Sequence, residues 1–438
     1  MKPHVVIGGG IGGLVAAWSL RQRFTDAPVV VLEQASMLGG LLAGTRYPDA
    51  GLYFDQGTHI FQETGDAEID AFIRDAIPRE SLVVLPGDWA GAVFRGRLQT
   101  NSHFPDLRPF LDLTNVRDGV RLSGGSESKI VRGQNLALTI GSRFGPEYAK
   151  LLQPILSAMF QINSSELATL ALLLPGLTRV ITLDAAEWEN AVRVPSLRAI
   201  LGYPEQRELP TEFRHGRRSF YSRHEGSAGI IQALANTLTR DGIEIRTNAS
   251  APPLVELEAE NVFIATGVVG AARLLGIDFS DLTLAPPLLH RIVHVVLEQP
   301  VDSDLQYFHG LDAANAFYRV TNYRAFSGEA DDRRFSIEVL ERAEISDERL
   351  PDLLLGQLHA LGFLPSTRRT FARVERLPKG FPRPTTDNLR GLARLHERVR
   401  ERLPGHVQVG GAGAGDGLFF TNEILLHAHR AIQSASVR

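Results

Sequence analysis

The chain contains no cysteine. That excludes a disulfide framework, a thiolate metal site, a redox-active cysteine pair and a cysteinyl tether to a cofactor. Lysine is almost as scarce: Lys2, Lys129, Lys150 and Lys379 are the only lysines among 46 basic residues. The rest are arginine, a bias we attribute to genomic codon usage. A formal net charge of −4 over 438 residues gives no sign of the basic face that a nucleic-acid partner needs. Long apolar runs are also missing. The most apolar stretch, residues 167–183, is interrupted by Pro175, Gly176 and Arg179. A membrane span needs about 20 predominantly apolar residues, so no transmembrane segment is expected. There is no internal repeat, low-complexity tract, P-loop, H-E-x-x-H or G-x-S-x-G. His427 and His429 lie two apart on an expected helix, face different directions and make a poor metal pair; no metal is expected.

What is present is the mix of an ordinary globular protein, with 44% hydrophobic and 22% charged residues, and a length that favours two domains. Met1-Lys2-Pro3-His4 leads directly into an apolar strand, with no h-region or cleavage site before it, so a cytoplasmic location is expected. The opening reads strand, loop, helix, strand. Val5-Val6-Ile7 is β-branched, residues 8–13 are a glycine loop, residues 14–24 have helical periodicity, and Val29-Val30-Val31-Leu32 is a second strand. Together they make one βαβ unit. Further along, helices are expected over 67–77, 230–240, 350–361 and 424–432, and a mainly helical block over 146–183. Short antiparallel strands are expected over 82–98, turning at Pro86-Gly87 and Arg95-Gly96. Strands are expected over 243–246, 261–266 and 407–409, and a second sheet over 290–297 and 335–340.

The loop Gly8-Gly9-Gly10-Ile11-Gly12-Gly13 contains G-x-G-x-x-G at Gly8, Gly10 and Gly13. Gly8 permits the tight turn out of the strand, Gly10 lets backbone approach a pyrophosphate, and Gly13 lets helix and strand pack closely. The helix N-terminus then offers unpaired N–H groups and partial positive charge to the phosphates. Glu33 ends the next strand, where a carboxylate accepts from ribose hydroxyls and repels a 2′-phosphate. This context points to a bound dinucleotide, and FAD and NAD share the fingerprint.

Four further stretches narrow the choice. Gly39-Gly40 follows Glu33 closely; Asp55-Gln56-Gly57-Thr58-His59-Ile60-Phe61 is a second polar glycine segment; Asn261-Val262-Phe263-Ile264-Ala265-Thr266-Gly267 runs from strand to glycine; and residues 409–417 form a second glycine loop ending in Gly415-Asp416-Gly417. With the first loop, these resemble the FAD-dependent amine oxidase and protoporphyrinogen oxidase superfamily. The resemblance implies non-covalent FAD held by Gly8, Gly10, Gly13, Glu33, Gly39, Gly40, Gly57, Thr58, His59, Thr266, Gly267, Gly415, Asp416, Gly417 and Leu418, with Asp416 on the ribityl chain. The expected fold class is α/β, a Rossmann-type FAD-binding domain with an interleaved α+β substrate domain. Residues 1–80, 225–285 and 400–438 are expected to form the FAD domain. Residues 81–224 and 286–399 are expected to form the substrate domain, its helical block near 146–200.

Substrate chemistry is less marked. His59 either lies beside the flavin ring or satisfies a loop hydrogen bond. Phe317-Tyr318-Arg319 and Asn322-Tyr323-Arg324 form a dense aromatic and basic cluster, from which Tyr318 and Arg319, with His59, are the catalytic candidates. Lys379 reads as a solvated turn residue. The expected activity is oxidation or desaturation of a small molecule by hydride transfer to flavin N5. Local similarity to UDP-galactopyranose mutase, at Gly57-Thr58-His59-Ile60-Phe61 and Phe419-Phe420-Thr421-Asn422-Glu423-Ile424, leaves flavin-dependent isomerisation of a nucleotide-sugar as the alternative. A non-enzymatic flavoprotein is a third reading. A homo-oligomer is compatible with all of them.

Overall fold

A computed structural model describes residues 1–123, 130–214, 216–413 and 420–434. The chain divides into two compact units, each built from separate stretches: Met1–Pro86 with Gly216–Thr283 and Arg390–Arg438, and Gly87–His215 with Leu284–Leu389.

The first unit is built on a parallel sheet in the order Glu244–Arg246, Val29–Leu32, His4–Ile7, Asn261–Ile264, Val407–Val409. Its strands are short and almost wholly apolar because both faces are covered. Alternate side chains separate cleanly. Val6, Val29, Val31 and Phe263 pack with residues of the helices Ile11–Arg23, Gly226–Arg240 and Thr421–Ser434. Val5, Ile7, Val30, Leu32, Val262, Ile264, Val407 and Val409 pack on the other side with Val268, Ala271, Leu395 and Val399. Every residue of the first helix from Ile11 to Leu20 is buried, which explains why it shows no polar face. This is the expected α/β Rossmann-type arrangement.

The second unit contains a seven-stranded sheet in the order Arg369–Arg376, His290–Leu297, Arg334–Leu340, Arg319–Asn322, Tyr307–Gly310, Ala90–Phe94, Arg97–Gln99. It is antiparallel except where Tyr307–Gly310 lies parallel to Ala90–Phe94. Its two faces differ in kind. Val93, Val293, Val295, Phe308, Val320, Phe335, Ile337 and Val339 point to one side and pack on the helix Leu350–Ala360. The opposite face carries the polar residues of the same strands. Register places His309 opposite Arg319 and Arg319 opposite Glu338, a polar row across three adjacent strands.

Two sequence expectations need correction. Residues 82–98 do not form one antiparallel set. Leu82–Val84 pairs with Ser219–Ser222 in a separate three-stranded sheet, and Pro86-Gly87 is where the chain leaves the first unit for the second. Only Ala90–Phe94 and Arg97–Gln99 form a hairpin, turning at Arg95 and Gly96, which have φ of 51° and 73°. Residues 146–183 are helical only at Pro146–Phe160 and Leu170–Leu173. Asn163 folds its side chain onto the Ser165 N–H and Gly176 adopts φ 70°, so local turn chemistry overrides apolar periodicity. Leu167, Ala171, Leu172 and Leu177 still fill the core of the unit. No helix among the described residues is long and apolar enough to cross a membrane.

Candidate functional site

In the first unit the glycine motif sits where the Rossmann topology requires, at the carboxyl ends of the parallel strands. Gly8 leaves its strand with φ 107°, a conformation that disfavours side chains. A Cβ on Gly13 would lie 1.9 Å from the Gly8 carbonyl oxygen, so helix and strand can pack this closely only without a side chain there. Gly10 caps the helix Ile11–Arg23 with φ −72° and no side-chain cap. The first-turn N–H groups therefore remain for a ligand. A Cβ on Gly10 would meet nothing nearer than the Gly39 oxygen at 3.9 Å. The space above Gly10 is thus open to a ligand, and Gly39-Gly40 forms its other wall: the Gly39 N–H donates to the Gly9 carbonyl at 2.9 Å.

Glu33 lies beside this loop. Its Oε2 accepts from the Gly9 N–H at 2.7 Å and its Oε1 from the Ala35 N–H at 2.8 Å. These two bonds aim the carboxylate, and each oxygen keeps a lone pair for a ribose hydroxyl. Thr266 and Gly267 arrive from the neighbouring strand. A Cβ on Gly8 would stand 3.0 Å from Thr266 Cγ2, and Gly267 donates to the Gly410 carbonyl at 3.1 Å. Gly8, Gly10, Gly13, Glu33, Gly39, Gly40, Thr266 and Gly267 therefore converge on one edge of one sheet. Gly415, Asp416, Gly417 and Leu418 lie outside the described residues.

These distances separate two glycine substitutions. Gly10→Ala is expected to leave stability within about 1 kcal/mol of the parent, because its φ suits alanine and the space is free. The added methyl should nevertheless weaken dinucleotide retention. Gly13→Ala should destabilise the fold itself by more than that, because the obstruction is backbone. Urea unfolding with a separate cofactor-retention assay reads both; equal stability losses in the two variants would contradict the placement.

The segment carrying Gly57, Thr58 and His59 is held by a residue the sequence did not single out. Asp55 is fully buried. It accepts from Tyr53 Oη at 2.6 Å, Ser227 N at 2.9 Å, Ser227 Oγ at 2.5 Å and Tyr221 Oη. Burial first, then Asp55, raises the Tyr53 phenol well above its ordinary pKa, so it stays a donor. Ser227 Oγ also stands 3.1 Å from the Leu42 carbonyl, a second acceptor for the same hydroxyl. The hub therefore ties the His59 segment to the Gly39-Gly40 wall and to the helix Gly226–Arg240. Gly57 turns with φ 102°, and the half-buried His59 places Nε2 3.2 Å from the Gln56 carbonyl.

In the second unit Arg319 makes a bidentate pair with Glu338, Nε to Oε1 at 2.7 Å and Nη2 to Oε2 at 3.0 Å. His290 Nε2 stands 3.2 Å from Glu338 Oε2. Burial opposes both charges. Glu338, with Tyr318 and Tyr307, outweighs it and raises Arg319; Arg319 and His290 hold Glu338 well below the usual carboxylate range. Tyr318 packs against His309 and against Phe381, with ring centroids 5.3 and 5.6 Å apart. Burial pushes the Tyr307 phenol up to about 12. Arg324 belongs elsewhere. The strand ends at Asn322, and Arg324 lies on the short helix Tyr323–Ser327, bonded to Asp302 and the carbonyls of Val301 and Ala330. Arg319 and Arg324 therefore do not act on one group. Lys379 is exposed. His427 meets the Val409 carbonyl and His429 meets Ser19, so they do point apart.

Burial also keeps histidines neutral in this unit. His103 is lowered to about 4 and His294 to about 3, in each case first by desolvation, and His309 is well below its ordinary value for the same reason. The unfolded chain protonates them near pH 6.5. Their contribution to stability is thus complete above about pH 6.5 and is lost as pH falls toward the folded values, by up to about 1.4 kcal/mol per pH unit and per histidine. His294→Gln should remove about one such increment of slope between pH 6.5 and 5. Urea unfolding across that range checks it; an unchanged slope would show that His294 charges freely in the fold.

With this geometry in place, comparison with known proteins adds the class. Residues 6–76, which lie within the first unit, match the model of an NAD(P)-binding Rossmann-like domain. Comparison with curated protein sequences finds no match. Among solved structures, reduced UDP-galactopyranose mutase is similar at 15% identity, with 99% of this chain and 93% of that chain covered and a TM-score of 0.73. A putative protoporphyrinogen oxidase from Exiguobacterium sp. 255-15 is 19% identical, with 99% and 98% covered and a TM-score of 0.64. A redesigned putrescine oxidase is 14% identical, with 99% and 98% covered and a TM-score of 0.61. The whole chain thus shares the fold of these solved structures.

Proposed function

We propose that this protein is an FAD-dependent oxidoreductase that oxidises or desaturates a small-molecule substrate by hydride transfer to flavin N5. The observation that carries the reading is the open glycine cradle, free of any Cβ above Gly10, with Glu33 aimed beside it. In this reading Gly8, Gly10, Gly13 and the first turn of the helix hold the pyrophosphate. Glu33 holds the adenosine ribose, and Gly39, Gly40, Thr266 and Gly267 admit the cofactor closely. Gly57, Thr58 and His59 flank its ring, and Gly415, Asp416, Gly417 and Leu418 are assigned by resemblance. The flavin, when bound, supplies the hydride chemistry, and the protein orients and shields it. Tyr318 and Arg319 are substrate-side residues, with Arg319 fixed in place by Glu338.

The alternative is a mutase acting on a nucleotide-sugar, favoured by the likeness of fold to UDP-galactopyranose mutase. A diphosphate needs converging arginine forks. Here Arg319 is engaged by the buried Glu338, and Arg324 lies on a separate short helix beside the exposed Asp302, which favours the redox reading. The test is a titration of oxidised and dithionite-reduced protein. Anaerobic bleaching of flavin absorbance by an amine, a polyene or a porphyrinogen-like compound, without response to UDP, is expected. Tight UDP binding, with ring-form conversion of a UDP-sugar only after reduction, would overturn it.

A further inference from the structure

The polar face of the seven-stranded sheet gathers side chains whose hydrogen bonding is incomplete. His309 is 3% exposed, and neither of its ring nitrogens has a hydrogen-bond partner among the described residues. Strand register explains why. Its neighbour on the parallel strand is Ala92, which brings no polar side-chain atom. Its neighbour on the antiparallel strand is Arg319, whose guanidinium is turned to Glu338. Tyr307 lies two residues earlier on the strand of His309 and so on the same face. Its ring meets His309 edge-on, with centroids 5.6 Å apart. Tyr318 meets His309 at 5.3 Å, and the guanidinium carbon of Arg319 stands 5.5 Å from the centre of the Tyr318 ring. Arg319 donates to Glu338 through Nε and Nη2. Its Nη1 and the hydroxyls of Tyr307 and Tyr318 make no hydrogen bond among the described residues.

Four groups are thus drawn together by ring contacts and by register, and they are electrically balanced. Arg319 and Glu338 offset each other. Burial keeps His309 neutral, and also His103, which lies within electrostatic reach of it. Asp88 lies within electrostatic reach of Tyr307 and opposes an anion, while Arg319 opposes a cation. A neutral imidazole carries one N–H donor and one acceptor nitrogen. Each phenol both donates and accepts, and Arg319 Nη1 only donates. Buried polar groups normally have partners, so a set this incomplete calls for a ligand. Its complement is a group that carries a donor and an acceptor and no charge.

We propose that His309, with the hydroxyls of Tyr307 and Tyr318 and Nη1 of Arg319, binds an uncharged group of the substrate that both donates and accepts hydrogen bonds, a hydroxyl or a carboxamide. The acceptor atom of that group takes hydrogen bonds from Arg319 Nη1 and from the imidazole N–H or a phenol, and its own hydrogen goes to the bare imidazole nitrogen. That the group belongs to the substrate rests on the proposed function; the neutral site itself does not.

The experiment is isothermal titration of the protein as purified with four probes that share one ring: benzamide, benzyl alcohol, benzoate and benzylamine. Flavin content is measured on the same sample. Saturable binding of benzamide or benzyl alcohol at a single site is expected, with benzoate and benzylamine about tenfold weaker or more. Preference for benzamide indicates a carboxamide in the substrate, and preference for benzyl alcohol a hydroxyl. His309→Phe keeps the ring contacts and replaces only nitrogens that have no partner, so the variant should fold like the parent. It should weaken binding of the neutral probes by about tenfold or more. Arg324→Gln, on a separate helix, should leave binding unchanged. With nitrogen-15 in the histidines, the bound probe should shift both ring nitrogens of one residue, whose signals are missing from His309→Phe. No saturable binding of the neutral probes, benzoate binding as tightly as benzamide, binding that survives His309→Phe unaltered, or ring nitrogens that do not respond would each overturn the proposal. Protein that lacks flavin yet binds a neutral probe through His309 would defeat the proposed function and leave the neutral site standing.

Discussion

Asp55→Ala is expected to cost about 3–5 kcal/mol of stability, the range for leaving buried charged-group partners uncompensated. Four donors converge on this carboxylate: two phenols, a backbone N–H and a hydroxyl. Removing it takes the carboxylate acceptor from all four where water does not reach, with the Leu42 carbonyl left as an acceptor for Ser227 Oγ. The geometry is also tight, since a Cβ on Gly226 would stand 2.7 Å from Asp55 Oδ1, so little space exists for a replacement network. The loss should appear in cofactor retention as well as in unfolding, because the hub joins the His59 segment to the Gly39-Gly40 wall. Asp55→Asn keeps only part of the accepting capacity and should fall between parent and alanine. Urea unfolding of the three proteins is the check. A loss below about 1 kcal/mol for Asp55→Ala would mean that the network is dispensable.

Glu338→Ala is expected to have a comparable effect on stability, about 3–5 kcal/mol, because it leaves Arg319 charged and unpaired in a buried place. The Arg319 side chain is 18% exposed and that of Glu338 1%, so solvent can offset only part of the loss. The pair as a whole contributes much less than its halves, since the desolvation of both ions offsets their attraction. The double variant Arg319→Met, Glu338→Leu should therefore recover most of the stability lost by Glu338→Ala. It should not recover turnover if Arg319 serves the substrate. A double variant as unstable as the single one would contradict this ion-pair account. A stable double variant with full activity would remove Arg319 from the functional site.

The parts of this architecture that were legible in the sequence are those whose physics is local. Gly8, Gly10 and Gly13 each answer a constraint set within a few residues, and Glu33 ends the strand that follows. The strands at Val29–Leu32 and Asn261–Ile264 read as apolar runs because both of their faces are covered. Tyr318 and Arg319 drew attention through composition alone. Their partner Glu338 was hidden because the pairing is set by strand register rather than by spacing. Asp55 was quoted as part of a motif, but Tyr221 and Ser227, which explain it, come from a distant stretch of chain. The helical reading of residues 161–183 failed because Asn163 and Gly176 turn the chain while the leucines around them stay buried, and burial alone does not distinguish helix from buried loop.

The central claim is that the glycine cradle and Glu33 hold FAD without a covalent bond. The most direct test is to purify the protein, denature it and identify what enters the supernatant by chromatography and fluorescence. The account predicts one FAD per chain, released quantitatively, and much reduced occupancy in Glu33→Ala. That loss corresponds to about 1.5–3 kcal/mol, or roughly ten- to more than a hundredfold in affinity. A colourless protein, release of FMN, which has no adenosine ribose for Glu33 to hold, or flavin that stays attached to the denatured chain would contradict it.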